Sequence, residues 1–464
     1  MDKSSQANRY NPAKEIFGLQ PDFADEVAPA DFPQTILRYR NDRAAASVGL
    51  ETLSDDEWIR HFGRFAPFPG NLPQPLALRY HGHQFRTYNP DIGDGRGFLF
   101  AQLRDDAGRL LDLGTKGSGQ TPYSRFGDGR LTLKGGVREI LATEMLEALG
   151  VNTSKTFSLI ETGEALERND EPSPTRAAVM ARLSHSHIRI GSFQRAAYFD
   201  DKPLLERLTD YSLRTLYDEE PGNNAPAQLL GRVVERTADL AASYMVAGFV
   251  HGVLNSDNIN VTGESFDYGP WRFTPLWEPS FTAAYFDHAG LYAFGRQAEA
   301  IHWDVAQLAA SLRPLVEAEP LIEQLERFPE LFGQAMVRRF CWRMGVVPSG
   351  EANAMIQAAV NGMAASGTPI DLFFHDWRGG EPRDGADYSG EAWAPFREVV
   401  AEMEASGDRG HGYWSDEVPC SMHIDEVEAI WSAIAERDDW SLLHEKVAAV
   451  RRMGEAMGDR PDVP

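Results

Sequence analysis

The stretch HGVLNSDN, His251 to Asn258, followed after INVTGESF by Asp267-Tyr268-Gly269, is the part of this chain whose reading decides the rest. Asn258 and Asp267 bracket the intervening segment, and a hairpin there would bring an amide oxygen and a carboxylate together. Hard oxygen donors of this kind suit Mg²⁺ or Mn²⁺ bridging phosphate groups. The plain alternative is a turn asparagine and a turn aspartate beside glycines, and Asp257 is open to the same two readings, as a general base or as an Asx-type turn former.

Laid over the protein-kinase pattern H-R-D-L-x-x-x-N with its later D-F-G, His251 falls on the His and Asn258 on the metal-binding Asn. Asp267 takes the place of the D-F-G Asp, and Val253 stands where the catalytic base belongs. A valine accepts no proton. Either the chain is inert, or it catalyses something other than ordinary phosphorylation with Asp257 as the nearest substitute.

The composition sets outer bounds. With 464 residues the chain exceeds one small core and suits two to four subdomains. Lys and Arg number 45 against 69 Asp and Glu, a formal net charge of −24, which argues against a broad nucleic-acid surface and leaves only local phosphate binding. The N-terminus MDKSSQANRYNPAKEIFG has no signal-peptide core, and no apolar run reaches membrane-spanning length, so the cytoplasm is the expected compartment and no membrane partner is expected. Cys341 and Cys420 alone exclude a disulfide framework and a cysteine zinc site.

Four segments are expected. Residues 1–75, aromatic and proline-rich, read as an irregular extension packed on the core. Residues 76–190 are strand-rich (GFLFAQL, RLLDLGTK, TFSLIETGEAL, AAVMARL), interrupted by the helix GGVREILATEMLEALG, which lines up Val137, Ile140, Leu141, Met145 and Ala148 on one face and stops at Gly150. ERNDEPSPTR, Glu167 to Arg176, reads as a hairpin loop. Residues 191–316 turn helical and run into the opening motif, and 317–464 form a further helical region. The fold class is α+β: a protein-kinase-like bilobal fold with an N-terminal extension and additional C-terminal helices.

Other motifs fit that order. Lys116 ends a strand and Glu139 follows 23 residues later on the helix, the pairing that lets a lysine grip nucleotide phosphates in a fixed position. GDGRG, Gly93 to Gly97, offers backbone N–H groups and Arg96 to phosphate, although it matches neither G-x-G-x-x-G nor a Walker A sequence. Arg182 and Arg189 lie at the expected lobe junction, where two arginines neutralise a triphosphate better than one lysine. The pairs His81/His83 and His185/His187 lack the partners of a metal hydrolase and read as structural.

Together YHGHQF, GDGRG, KGSGQTPYSRFGDGR, REILATEMLEALG, ARLSHSHIRIGSF, HGVLNSDN, DYGP and DHAGLYAFGRQ strongly resemble the selenoprotein O (YdiU) family of pseudokinases, over roughly Leu76 to Leu315. The resemblance implies adenylylation: ATP bound in reversed orientation, with AMP transferred to Ser, Thr or Tyr hydroxyls of proteins. It implies a Lys116–Glu139 ion pair, Mg²⁺ or Mn²⁺ on Asn258 and Asp267, Asp257 as base, and Gly93, Gly95, Arg96, Asp128, Gly129, Arg182 and Arg189 around the nucleotide. Many members of that family carry a selenocysteine or cysteine just before the last residue, whereas this sequence closes with GDRPDVP, so redox control through a terminal cysteine is not implied here. Arg86 and Tyr88 stand where smaller or apolar residues are expected and point to an altered pocket edge. Two rivals share these motifs: a kinase using the γ-phosphate, and an inert nucleotide-binding scaffold.

Overall fold

The computed structural model describes residues 9–169, 171–407 and 409–461. Eleven strands precede the helical half: β1 (Pro12–Ala13), β2 (Ala24–Glu26), β3 (Ile36–Arg40), β4 (Leu76–Leu78), β5 (Gly82–Gln84), β6 (Thr87–Asn89), β7 (Leu99–Arg104), β8 (Leu110–Lys116), β9 (Leu131–Thr132), β10 (Lys155–Leu166) and β11 (Thr175–Ser184). Nine of them form one antiparallel sheet in the order β2-β4-β7-β8-β11-β10-β3, with β1 on β7 and β9 on β11. β8 is buried at every position, because both faces of the sheet are covered.

The first 75 residues, expected as an irregular wrap, supply β1, β2 and β3 to this sheet and two short helices, α1 (Asp42–Ala46) and α2 (Asp55–Phe62). Their strands are only two to five residues long, too short for a period-2 pattern to register. Ser54 and Glu57 form a capping box that starts α2. Trp58 then stacks on Phe157 at 5.0 Å, and Phe62, Phe65 and Phe68 pack with Phe98 and Phe100 over the sheet's outer face.

α3 (Leu133–Ala148) covers the inner face; Thr132 caps its start, and Gly150, at φ 75°, takes the left-handed turn that ends it. The helical half comprises α4 (Ile190–Tyr198), α5 (Lys202–Tyr211), α6 (Ala225–Ala247), α7 (Gln297–Leu312), α8 (Ala318–Leu325), α9 (Phe328–Met344), α10 (Ala352–Ser366), α11 (Ile370–Asp376), α12 (Ala394–Val400), α13 (Ile424–Arg437) and α14 (Ser441–Met457), with one small ribbon of β12 (Phe249–Val250) and β13 (Arg272–Phe273). α6 is its buried axis, and Arg339 of α9 clamps Asp239 there, with its Nε at 2.9 Å. α14 returns to the first lobe. Arg451 donates to both oxygens of Glu144 on α3 at 2.6 and 2.8 Å, which is why α3 is buried nearly all round and not along one face alone.

A strand lobe with one long helix, then a helical lobe carrying the Asp-Asn and Asp-Tyr-Gly motifs, is the α+β, kinase-like, two-lobed arrangement expected. The expected loop Glu167 to Arg176 is shorter in the structure: residues 167–174 join β10 to β11, Thr175 and Arg176 already pair within the hairpin, and Asp170 lies outside the described residues. INVTGESF differs from expectation: it is no hairpin but a turn, pinned by single bridges of Asn260 to Arg189 and Ser265 to Thr153. The backbone pairs with neighbouring elements in place of itself. Among the described helices none is long and apolar enough to cross a membrane. Both cysteines are free thiols, pushed up to about 11 by burial.

Candidate active site

Between the lobes lies a cleft of about 610 Å³. It is lined by Lys116, Arg96, Arg125, Arg130, Arg168, Arg182 and Arg189 against Asp94, Asp128, Asp257 and Asp267. Seven basic groups facing four acidic ones, in a chain of net charge −24, make a local anion trap of a size that takes a nucleoside triphosphate.

At its floor two cations and two carboxylates interlock. β8 ends at Lys116, whose Nζ lies 2.9 Å from Glu139 Oε2 and 2.8 Å from Asp267 Oδ1. Arg182 of β11 adds Nη1 at 3.4 Å from Asp267 Oδ1 and 3.7 Å from Glu139 Oε1. Tyr268 donates its backbone N–H to Glu139 Oε1 at 3.3 Å, so α3 and the Asp-Tyr-Gly turn are fixed to each other. Burial alone would raise the Asp267 carboxyl; Lys116, Arg182 and Arg96 outweigh it and hold the group well below the usual carboxylate range. Asp267 sits at φ 63°, a left-handed conformation uncommon for a residue with a side chain, held here by those ion pairs.

Asp257 lies in the short turn Ser256–Asn258 and reaches the cleft, whereas Val253 does not line it. Its Oδ1 is buried without a partner, and burial, moderated by Arg189, pushes the carboxyl up to about 6. Gly82 crosses directly above: a Cβ there would stand 2.6 Å from Asp257 Oδ1, so only glycine leaves room for the carboxylate. Arg189 is only 2% exposed, lies over Tyr80 at 4.2 Å and Phe266 at 4.8 Å, donates to the Asp257 carbonyl at 3.0 Å, and has Nη2 3.6 Å from Asp94.

Gly93 and Gly95 line the cleft, but their missing side chains serve Tyr123: a Cβ would lie 2.5 Å from its ring or 2.9 Å from its carbonyl. They let residues 121–130 fold down as one wall. Arg96 is exposed at the mouth. Asp128 sits on the rim, with its carboxylate bound by Arg168 at 2.8 and 3.0 Å, and Gly129, at φ 71°, backs against Gly119. Asn258 is half-buried and does not line the cleft; its Nδ2 donates to the Val253 carbonyl at 3.0 Å. Ten of the twelve expected residues therefore line one cleft, Glu139 stands directly behind it, and Asn258 lies beside it.

Arg86 and Tyr88 do not reach this edge. Arg86 lies over Trp303 at 5.3 Å and pairs with Glu299, and Tyr88 bonds His81 at 2.8 Å. His83 bonds Gln194 at 2.6 Å. Sequence reasoning missed Tyr80, Asp94, Tyr123, Arg130 and Arg168. Asp94 lay inside the GDGRG motif and could have been found there; Arg168 comes from the hairpin loop and carried no local signal.

Comparison with known proteins identifies the family. A family model described as "Protein adenylyltransferase SelO" matches residues 6–392. Proteins named "Protein nucleotidyltransferase YdiU" are 40% identical in Synechocystis sp. (94% of this chain, 97% of the relative), in Synechococcus elongatus (98% and 97%) and in Gloeobacter violaceus (96% and 95%). A Toxoplasma gondii rhoptry antigen kinase domain is similar over 57% of this chain and 78% of its own, at 12% identity and a TM-score of 0.27, too distant to bear on function. By the family match and the near full-length relatives, this chain belongs to the SelO family of protein adenylyltransferases.

Proposed function

We propose that this protein transfers AMP from ATP to Ser, Thr or Tyr hydroxyls of other proteins and releases pyrophosphate. The observation that carries the reading is that Asp257, and not the residue at 253, brings a carboxylate to a cleft whose Lys116–Glu139–Asp267–Arg182 cluster is intact.

Asn258 and Asp267 would hold Mg²⁺ or Mn²⁺. The donor set fits: the Asn258 amide nitrogen is committed to Val253, leaving its carbonyl oxygen as a ligand, and Asp267 is held ionised. When bound, the ion supplies charge neutralisation to the phosphate oxygens. Lys116, Arg182, Arg189 and Arg96 draw the triphosphate into the cleft and disperse the charge that builds on it. The acceptor oxygen attacks the α-phosphorus; the O–P bond forms as the bond to the β-phosphate bridging oxygen breaks, and that electron pair leaves with pyrophosphate. The acceptor's proton passes to the carboxylate of Asp257, which lines the cleft. With the nucleotide reversed, the reacting phosphorus no longer sits where a kinase's base is needed, which rationalises Val253. Positioning and electrostatics supply most of the acceleration in such transfers.

The test is parallel incubation of the protein, Mg²⁺ or Mn²⁺ and a cell extract with ATP labelled at the α- or the γ-phosphate, with Asp267→Ala as control. Protein label from the α-position only, lost in the variant, is expected. Label from the γ-position only would make the protein a kinase; label from neither would favour an inert scaffold.

A further inference from the structure

A second cavity, about 320 Å³, shares no lining residue with the nucleotide cleft. It lies where α1, the end of α3, the start of β10, the end of β11 and the C-terminal segment meet. Arg43, Arg109, Lys155 and Arg460 surround it, facing two carboxylates, Glu147 and Glu264.

The cations are not fully used by those carboxylates. Glu147 is shared between Arg43 and Lys155, the latter at 2.9 Å. Glu264 accepts the backbone N–H of His185 and has no ion pair among the described residues. Arg109 meets the largely buried Asp105 carboxylate at 3.1 Å, but its own guanidinium is nearly half exposed, so the pair leaves donors over for a further anion. Arg460 has no hydrogen-bond or ion-pair partner among the described residues. The cavity therefore keeps a positive excess in a chain of net charge −24, the opposite of what the surface average would place there.

A separate observation also points to a ligand. Ser184 is 2% exposed, lines the cavity, and its wholly buried Oγ has no hydrogen-bond partner among the described residues. Buried hydroxyls are rarely left so, and a small side-chain rotation would bring this donor to an oxygen anion held by the surrounding cations. Leu111, Leu183 and Ala44 form an apolar wall beside the charges, giving room for more than a bare ion.

We propose that this cavity is a second anion site, distinct from the ATP cleft, that takes a small free phosphate-bearing solute. Arg109, Arg460 and Lys155 would face the phosphate, Ser184 Oγ would donate to it, and the apolar wall would carry a short organic part.

The test is calorimetric titration of the full chain with inorganic phosphate and with ribose 5-phosphate. Wild type is compared with Arg109→Ala/Arg460→Ala, whose side chains are not in the core, with Ser184→Val, and with Lys116→Ala as the cleft control. Binding of at least one probe should weaken at least about tenfold in the first two variants, as expected when cations or a donor stop facing a phosphate. It should persist in Lys116→Ala, while binding of a non-hydrolysable ATP analogue shows the reverse dependence. Unchanged binding in both cavity variants, loss only in Lys116→Ala, or no binding of either probe by about 20 mM would overturn the proposal.

Discussion

Glu139 and Glu144 stand just over one turn apart on α3, and both are almost fully buried, yet their partners differ in kind. Glu139 meets Lys116 and Arg182, cations that also line the nucleotide cleft. Glu144 meets Arg451 of α14 and the hydroxyl of Tyr39 on β3 at 2.6 Å, groups from opposite ends of the chain and far from the cleft. A buried carboxylate needs a compensating partner in either place. On the cleft side that partner is kept available to a substrate, whereas on the far side it fastens the lobe's helix to its flanks.

Breaking each pair should therefore register on a different axis. Lys116→Ala is expected to lower AMP transfer roughly a hundredfold to a thousandfold, the scale seen when a preorganised charge on a reacting group is removed; transfer of α-label per folded molecule measures it, and near wild-type transfer would sink the assignment. Arg451→Ala should instead lower the unfolding free energy by about 2 kcal/mol, less than a fully enclosed pair because Arg451 is partly exposed, while leaving transfer per folded molecule within about threefold. Denaturant unfolding and the same transfer assay separate the two.

Glu264 sharpens the comparison, since it is a buried carboxyl with a backbone donor and no ion pair among the described residues. Burial pushes it up to about 7, from the usual carboxylate value of 4.5. The folded state then binds the proton more tightly than the unfolded one, so this group's contribution to stability is lost as pH rises from about 4.5 to about 7 and stays lost above. Glu264→Gln, which keeps an acceptor for the His185 N–H, should melt higher than wild type at pH 8, with the gap closing toward pH 5. An equal gap at both values would contradict the shift. The smallest effect belongs to Val253→Ala, expected to change transfer less than about twofold because the side chain does not line the cleft.

How much of this was legible follows from how each feature is encoded. Lys116, Glu139, Asp257 and Asp267 could be named beforehand because each sits in a local motif whose spacing reflects a strand end, a helix turn or a tight loop. The hairpin β10–β11 was legible from its polar, proline-bearing loop. The early strands were not, since strands of two to five residues are paired by the strand beside them and leave too little periodicity of their own. The role expected for Gly93 and Gly95 also changed, because nothing local announces that Tyr123 packs against them.

The sequence by itself determined the order of strand-rich and helical segments, the anionic background and the residues proposed for the transfer chemistry, since these rest on composition and on short motifs whose spacing can be read along the chain. Only the tertiary structure decided that Arg168 closes the cleft rim, that α14 braces α3, and that Arg43, Arg109, Lys155 and Arg460 gather around one cavity. Those groups come from separate segments, and what brings them together is the packing of the sheet, α3 and the returning C-terminal helix, a long-range outcome that no local pattern records.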